Sequence, residues 1–186
     1  MSFAGNSSQN SRMPHASTFR GFTLLELAIA LAVGAVIVGL GVPGLGAWAR
    51  GQELQDRADA LLRTLDLARS EAIRRAARVD VCPGGASCAG GATPWEGGWS
   101  VVADVDRDRD VRAILRERAA APGITISGNR PVADYVSYTS AGHARRFDGA
   151  LQMGTFTLCR HGERARKVIL ANSGRARIEA TTQACP

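Results

Sequence analysis

The chain has 186 residues, 45% hydrophobic and 22% charged, with 23 basic side chains against 17 acidic ones and a formal net charge of +6. That length accommodates one membrane-embedded helix and one small globular domain, and because the chain turns polar enough to be soluble after Ala49 a single span is expected. The charge is unevenly placed: residues 50–141 hold 13 basic and 13 acidic side chains, whereas residues 142–186 hold 8 basic and 3 acidic. Such asymmetry points to a polyanionic partner.

Residues 1–21 are polar, with Arg12 and Arg20 and no acidic side chain. An apolar run of 28 residues follows from Phe22 to Ala49, and Glu26 is its only charged member. About 20 apolar residues suffice to span a bilayer as a helix, and a carboxylate within such a run needs a partner. A secretory signal has an apolar core of about 7–15 residues with its cleavage site behind it. Here the run is longer, and the candidate cleavage site at Gly21 precedes it. The positive leader orients the span with the remainder of the chain outside the cytoplasm.

The sequence Gly21-Phe22-Thr23-Leu24-Leu25-Glu26 resembles the type III signal of type IV pilins and pseudopilins. The resemblance implies that a prepilin peptidase cuts after Gly21 and that Phe22, the new N-terminus, is methylated. It also implies that Glu26, fifth in the mature chain, meets the terminal amine of a neighbouring subunit and guides assembly. The expected domains are a leader over 1–21, a transmembrane and assembly segment over 22–49, and a periplasmic domain over 50–186. The expected location is the inner membrane, single-pass, with incorporation into a pilus or pseudopilus.

The spacing predicts one long helix from Phe22 to about Ala77. Beyond the apolar run, Leu54, Ala58, Leu61, Leu62, Leu65, Ala68, Ala72 and Ile73 recur three or four apart and form one stripe. The opposite face carries Glu53, Asp56, Arg57, Asp59, Arg63, Asp66, Arg69 and Arg74, in which Glu53–Arg57 and Asp59–Arg63 are i,i+4 pairs in the favourable order. The segment 39–46 is glycine-rich around Pro43, so a kink or local unwinding is expected there. Pilins carry a proline at this position, and the resemblance implies a segment that melts on assembly.

After the helix the pattern changes to short runs with period two. Strands are expected at 79–82, 98–104, 112–118, 124–127, 135–139, 155–160, 167–171 and 175–181, separated by Gly, Pro, Asn and Asp clusters. The fold class is therefore α+β, a long N-terminal helix packed on antiparallel sheet.

Four cysteines, Cys82, Cys88, Cys159 and Cys185, fit an oxidising compartment and allow three pairings. Sequence alone does not choose; the preferred set is Cys82–Cys88, closing a short loop, and Cys159–Cys185, pinning the C-terminus. Neither close pair has the CxxC spacing of a zinc site. Arg160-His161-Gly162-Glu163 reads as a polar turn. The run from Asp104 to Asp110 lacks the glycine at position six and the glutamate at position twelve of a calcium loop, so a solvated turn is expected. Trp95 and Trp99 are expected to pack rather than stack on bases. No catalytic triad pattern is present, and neither enzymatic activity, a metal nor a cofactor is expected.

Val79-Asp80-Val81-Cys82-Pro83, Trp95-Glu96-Gly97-Gly98-Trp99 and Ser173-Gly174-Arg175-Ala176-Arg177-Ile178 resemble the GspH/FimT family. In that likeness Gly174-Arg175-Ala176-Arg177 matches an element linked with DNA binding in FimT-type minor pilins. Arginines at i and i+2 of a strand share a face and can clamp successive phosphates. Lys167, Arg166, Arg164, and beyond them Arg145 and Arg146, extend the candidate patch. The plainer alternative is an arginine-rich edge strand that discourages aggregation. Two functions are therefore carried forward. One is a minor pilin that binds double-stranded DNA for natural transformation. The other is a GspH-type minor pseudopilin with a structural role at the tip of a type II secretion filament. Both assemble with other pilins through the N-terminal helix.

Overall fold

The computed structural model describes residues 22–84, 88, 94–104 and 112–186, and within these the side chains at 40–45, 47, 104, 112, 113 and 117 are not described. The expected leader with its Gly21 cleavage site, and the aspartate-rich turn after Asp104, lie outside the described residues. The chain divides into two compact units, Met1–Pro43 and Gly44–Pro186.

Helix α1 runs Leu24–Arg75. Thr23 caps it: the backbone N–H of Glu26 donates to Thr23 Oγ1 at 3.2 Å, and that of Leu27 to the Thr23 carbonyl at 3.1 Å. The Thr-x-x-Glu order of a capping box is already visible in the sequence. At the other end Ala76 takes a left-handed φ of 50°, while Ala76 N–H donates to Ile73 O and Ala77 N–H to Ala72 O, both at 3.2 Å. This is the double-bond helix stop usually built on glycine. The helical backbone is continuous through Pro43, so of the kink or local unwinding expected at 39–46 the unwinding is absent. A proline deletes one donor, and the flanking helical bonds persist around it.

In the first unit the large apolar side chains from Phe22 to Val38 are all more than half exposed. Among the described residues no helix is long and apolar enough to cross a membrane. The apolar run of the sequence continues through 40–45 and 47, whose side chains are not described.

The second unit holds the sheets. The strands are β1 Val79–Pro83, β2 Gly98–Asp104, β3 Arg112–Ala119, β4 Thr125–Gly128, β5 Val136–Tyr138, β6 Gly154–Cys159, β7 Arg164–Leu170 and β8 Ala176–Ala184. They form two four-stranded antiparallel sheets, ordered β3-β2-β1-β5 and β4-β6-β7-β8. Each of the eight expected strands exists; β7 begins three residues earlier, and β8 ends three later. Short 3-10 turns at Trp95–Gly97 and Arg130–Val132 were not anticipated.

The core forms where the helix stripe meets both sheets. Leu54, Ala58, Leu61, Leu65, Ala68 and Ala72 are fully buried beside Val79, Val81 and Val101 of one sheet and Phe156, Leu158 and Val168 of the other. Two members of the expected stripe depart from it: Leu62 is half-buried, and Ile73 is 51% exposed. Arg57 departs the other way. The sequence pairs it with Glu53 on the polar face, yet it is buried, with its guanidinium 4.2 Å from the centroid of the Trp99 ring and Nη2 donating to Ala119 O at 2.6 Å. The planar cation stacks on the indole while its stem adds apolar contact, which favours burial over a solvated ion pair. Glu53 pairs instead with Arg160.

Both tryptophans pack. Trp99 donates Nε1–H to Thr64 Oγ1 at 3.0 Å, and Trp95 donates to Ala133 O at 2.7 Å and meets Phe156 edge-on at 4.9 Å. The disulfides join Cys82 to Cys88 and Cys159 to Cys185, with Cα separations of 5.0 and 5.4 Å.

Candidate nucleic-acid interface

The β7–β8 connection presents the arginine motif. Ala171 N–H donates to Arg175 O and Gly174 N–H to Ala171 O, each at 2.9 Å, which closes a tight turn. Gly174 has a φ of 83°, and a Cβ there would lie 2.1 Å from the Gly142 carbonyl oxygen and 3.1 Å from Tyr138 Cε1. Glycine is required at 174 on both counts. The turn thus lies against a second one, in which Gly142 N–H donates to Thr139 O at 2.8 Å and Thr139 N–H to His143 O at 3.0 Å.

Register decides which cations share a face. Arg177 stands opposite Ile169 and Glu179 opposite Lys167, while Ile178 stands opposite buried Val168. Lys167, Arg177 and Glu179 therefore occupy the outer face of the sheet. Arg175 is exposed at the mouth of β8, and among the described residues no acidic side chain pairs with it. Arg177 has Glu179 at 3.6 Å, but both are more than half exposed, so the pair is weak.

Three other members of the expected patch lie elsewhere or are engaged. Arg166 faces the opposite way and donates Nε–H to Gln55 Oε1 of α1 at 2.8 Å. Adjacent strand residues point to opposite faces, so Arg166 and Lys167 do not act as one surface. Arg164 begins β7 opposite Ala184, about 20 Å of strand away from the turn. Arg146 pairs with Asp148 at 3.3 Å. Arg145 does lie beside the turn, with Nη1 donating to Ala144 O at 3.0 Å and to Asn172 O at 3.4 Å. Sequence reasoning missed Arg69 of α1, whose Nε–H donates to Gly142 O at 3.0 Å.

Burial pushes the Asp66 carboxyl up against the opposing pull of Arg69, and burial also pushes the Tyr138 phenol up. Burial, then Arg118, lowers the Arg57 guanidinium. Among the described residues no group of three or more His, Cys, Asp or Glu side chains is placed to hold a metal. Glu26 lies exposed in the first turn of α1.

Two family models match the chain. One, the prokaryotic N-terminal methylation motif, covers residues 17–42; the other, type II transport protein GspH, covers residues 57–174. Arg175 and Arg177 fall just past the second match. Two crystal structures of the type IV minor pilin FimU of Pseudomonas aeruginosa are similar in fold. One is 22% identical with a TM-score of 0.57, covering 74% of this chain and 96% of that one. The other is 21% identical with a TM-score of 0.54, covering 70% and 95%. No curated protein matches the chain.

Proposed function

The chain belongs to the family of the type II transport protein GspH, and on that premise we propose that it is a minor pilin that captures double-stranded DNA. Its pilin-like character rests on the two family matches and the shared fold. The observation that carries the DNA reading is the exposure of Arg175 at a tight turn, with Arg177 and, further along the strands, Lys167 on the outer face of the C-terminal sheet. Guanidinium groups so placed bind phosphates without reading bases, so affinity is sequence-independent and falls with salt.

In this reading a peptidase cuts after Gly21, Phe22 is methylated, and the apolar helix anchors the chain in the inner membrane before assembly. Glu26 then pairs with the terminal amine of a neighbouring subunit. Normal filament incorporation of Glu26→Ala would count against that role. The GspH match equally supports a second reading, a pseudopilin that acts through protein contacts in a type II secretion filament.

The deciding experiment titrates the detergent-solubilised chain with double-stranded DNA across a salt series, beside Arg175→Gln/Arg177→Gln. The DNA reading expects the log–log salt slope to shrink by about 1.8 in the double variant. Absence of binding at low salt, or binding indifferent to both substitutions, leaves the secretion-type reading.

A further inference from the structure

The Gly142 carbonyl oxygen stands between two elements that are distant in sequence. On one side Arg69, near the end of α1, donates its Nε–H at 3.0 Å. On the other side Gly174 approaches so closely that a Cβ would fall 2.1 Å from the same oxygen. Both glycines are left-handed, with φ of 75° and 83°. Ile73 closes the helix side, its Cδ1 lying 2.7 Å from where a Gly142 Cβ would stand. Arg145 ties the second turn to the first through Asn172 O at 3.4 Å. The turn at 139–143 is thus clamped between the helix and the turn that carries Arg175.

We propose that Arg69 is a positioning residue for the cationic turn: by holding the Gly142 carbonyl it fixes the surface against which Gly174 rests, and so the direction in which Arg175 is presented. The proposal rests on the DNA reading for its functional consequence, though not for its structural one. Arg69 is half-buried, and its Nε–H is directed at a backbone carbonyl rather than at the outer face. Its proposed role is on the turn and not as a phosphate contact, and the salt slope distinguishes the two roles. Removing it leaves the Gly142 oxygen without its charged donor, and the backing of Gly174 loosens.

The test uses the full chain in detergent, with Arg69→Gln, Arg69→Lys and, as a basic neighbour, Arg74→Gln, which loses a pair with Glu71 on the exposed side of the helix. Amide hydrogen exchange is followed in peptides covering 138–146 and 171–176, and DNA binding is followed over salt. Arg69→Gln is expected to speed exchange in both segments by roughly tenfold and to weaken DNA binding by roughly fivefold, with the salt slope unchanged. Arg69→Lys restores most of both effects, because it keeps a charged donor; Arg74→Gln shows neither. Unchanged exchange in Arg69→Gln overturns the proposal, as does faster exchange spread over the whole domain. A slope smaller by about 0.9 overturns it too, since Arg69 would then be a phosphate contact. If the unaltered chain binds no DNA, the DNA reading fails, and the exchange result alone decides the interlock.

Discussion

Gly174→Ala and Gly149→Ala test the packing of the arginine turn, because they share a backbone conformation and differ in surroundings. Both glycines are left-handed, at φ of 83° and 86°. A Cβ at 149 meets nothing within 4 Å, whereas one at 174 meets a backbone oxygen at 2.1 Å. Alanine at 149 therefore carries only the left-handed penalty, partly offset by a stiffer unfolded chain, and costs about 1 kcal/mol. Alanine at 174 adds a collision that flexible side chains cannot relieve. The Gly142 oxygen must move by about 1 Å to reach ordinary contact, which drives it toward Arg69 on its other side and spoils the geometry of that bond. Loss of that charge-assisted bond adds about 2 kcal/mol, for a total of about 3 kcal/mol. On a domain of this size, the difference separates melting temperatures by roughly 8 °C. Near-ultraviolet circular dichroism reads it directly, since Trp95 and Trp99 are buried in the core. Equal melting temperatures for the two variants would refute the close approach of the two turns.

Arg57→Ala removes the cation over Trp99 and the donor to Ala119, and is expected to cost about 2 kcal/mol in urea unfolding. Breaking Cys159–Cys185 with paired alanines opens a loop spanning 26 residues and should cost about 3.5 kcal/mol by loop entropy. Breaking Cys82–Cys88, which spans 6, should cost about 2 kcal/mol, and denaturant midpoints order the two. Asp66 governs a pH effect. Its carboxyl is raised by burial, so the folded chain binds the proton more readily than the unfolded one. Its contribution is fully present below the ordinary value of 3.8 and declines as pH rises through the raised one. Asp66→Asn should flatten that decline in urea midpoints taken from pH 3.5 upward, and an unchanged profile would contradict the assignment.

The fold was legible because its signals are local. The 3.6-residue stripe from Leu54 to Ala72 and the period-two runs between turn residues each report burial on one element. What escaped was settled across elements. Arg57 reads as a solvated helix cation until Trp99, 42 positions along, supplies a ring to stack on. Ile73, like Leu62, sits one position round from the row 54, 58, 61, 65, 68 and 72, so it flanks the core while Ala72 beside it is fully buried. The helix stop uses alanine at 76 in a left-handed conformation, so the usual glycine marker was missing. The role of Gly142 has no signature of its own, because it depends on contacts with Arg69 and Gly174, neither of them near in sequence.

The candidate site shows how charge counting overstates a surface. Residues 142–186 carry 8 basic side chains, yet strand parity turns Arg166 inward to Gln55, and Arg160 and Arg146 face Glu53 and Asp148. Arg145 is engaged by two carbonyls, and Arg164 lies at the far end of β7. Lys167, Arg175 and Arg177 remain as cations at the turn and the outer face, with Glu179 beside the last. Three phosphate contacts correspond to a salt slope of about −2.7 on duplex DNA, whereas eight would give about −7. A measured slope near the larger figure would mean that the withdrawn arginines leave their partners on binding. A slope near the smaller one fits a grip by the cations that the fold leaves at the turn and the outer face.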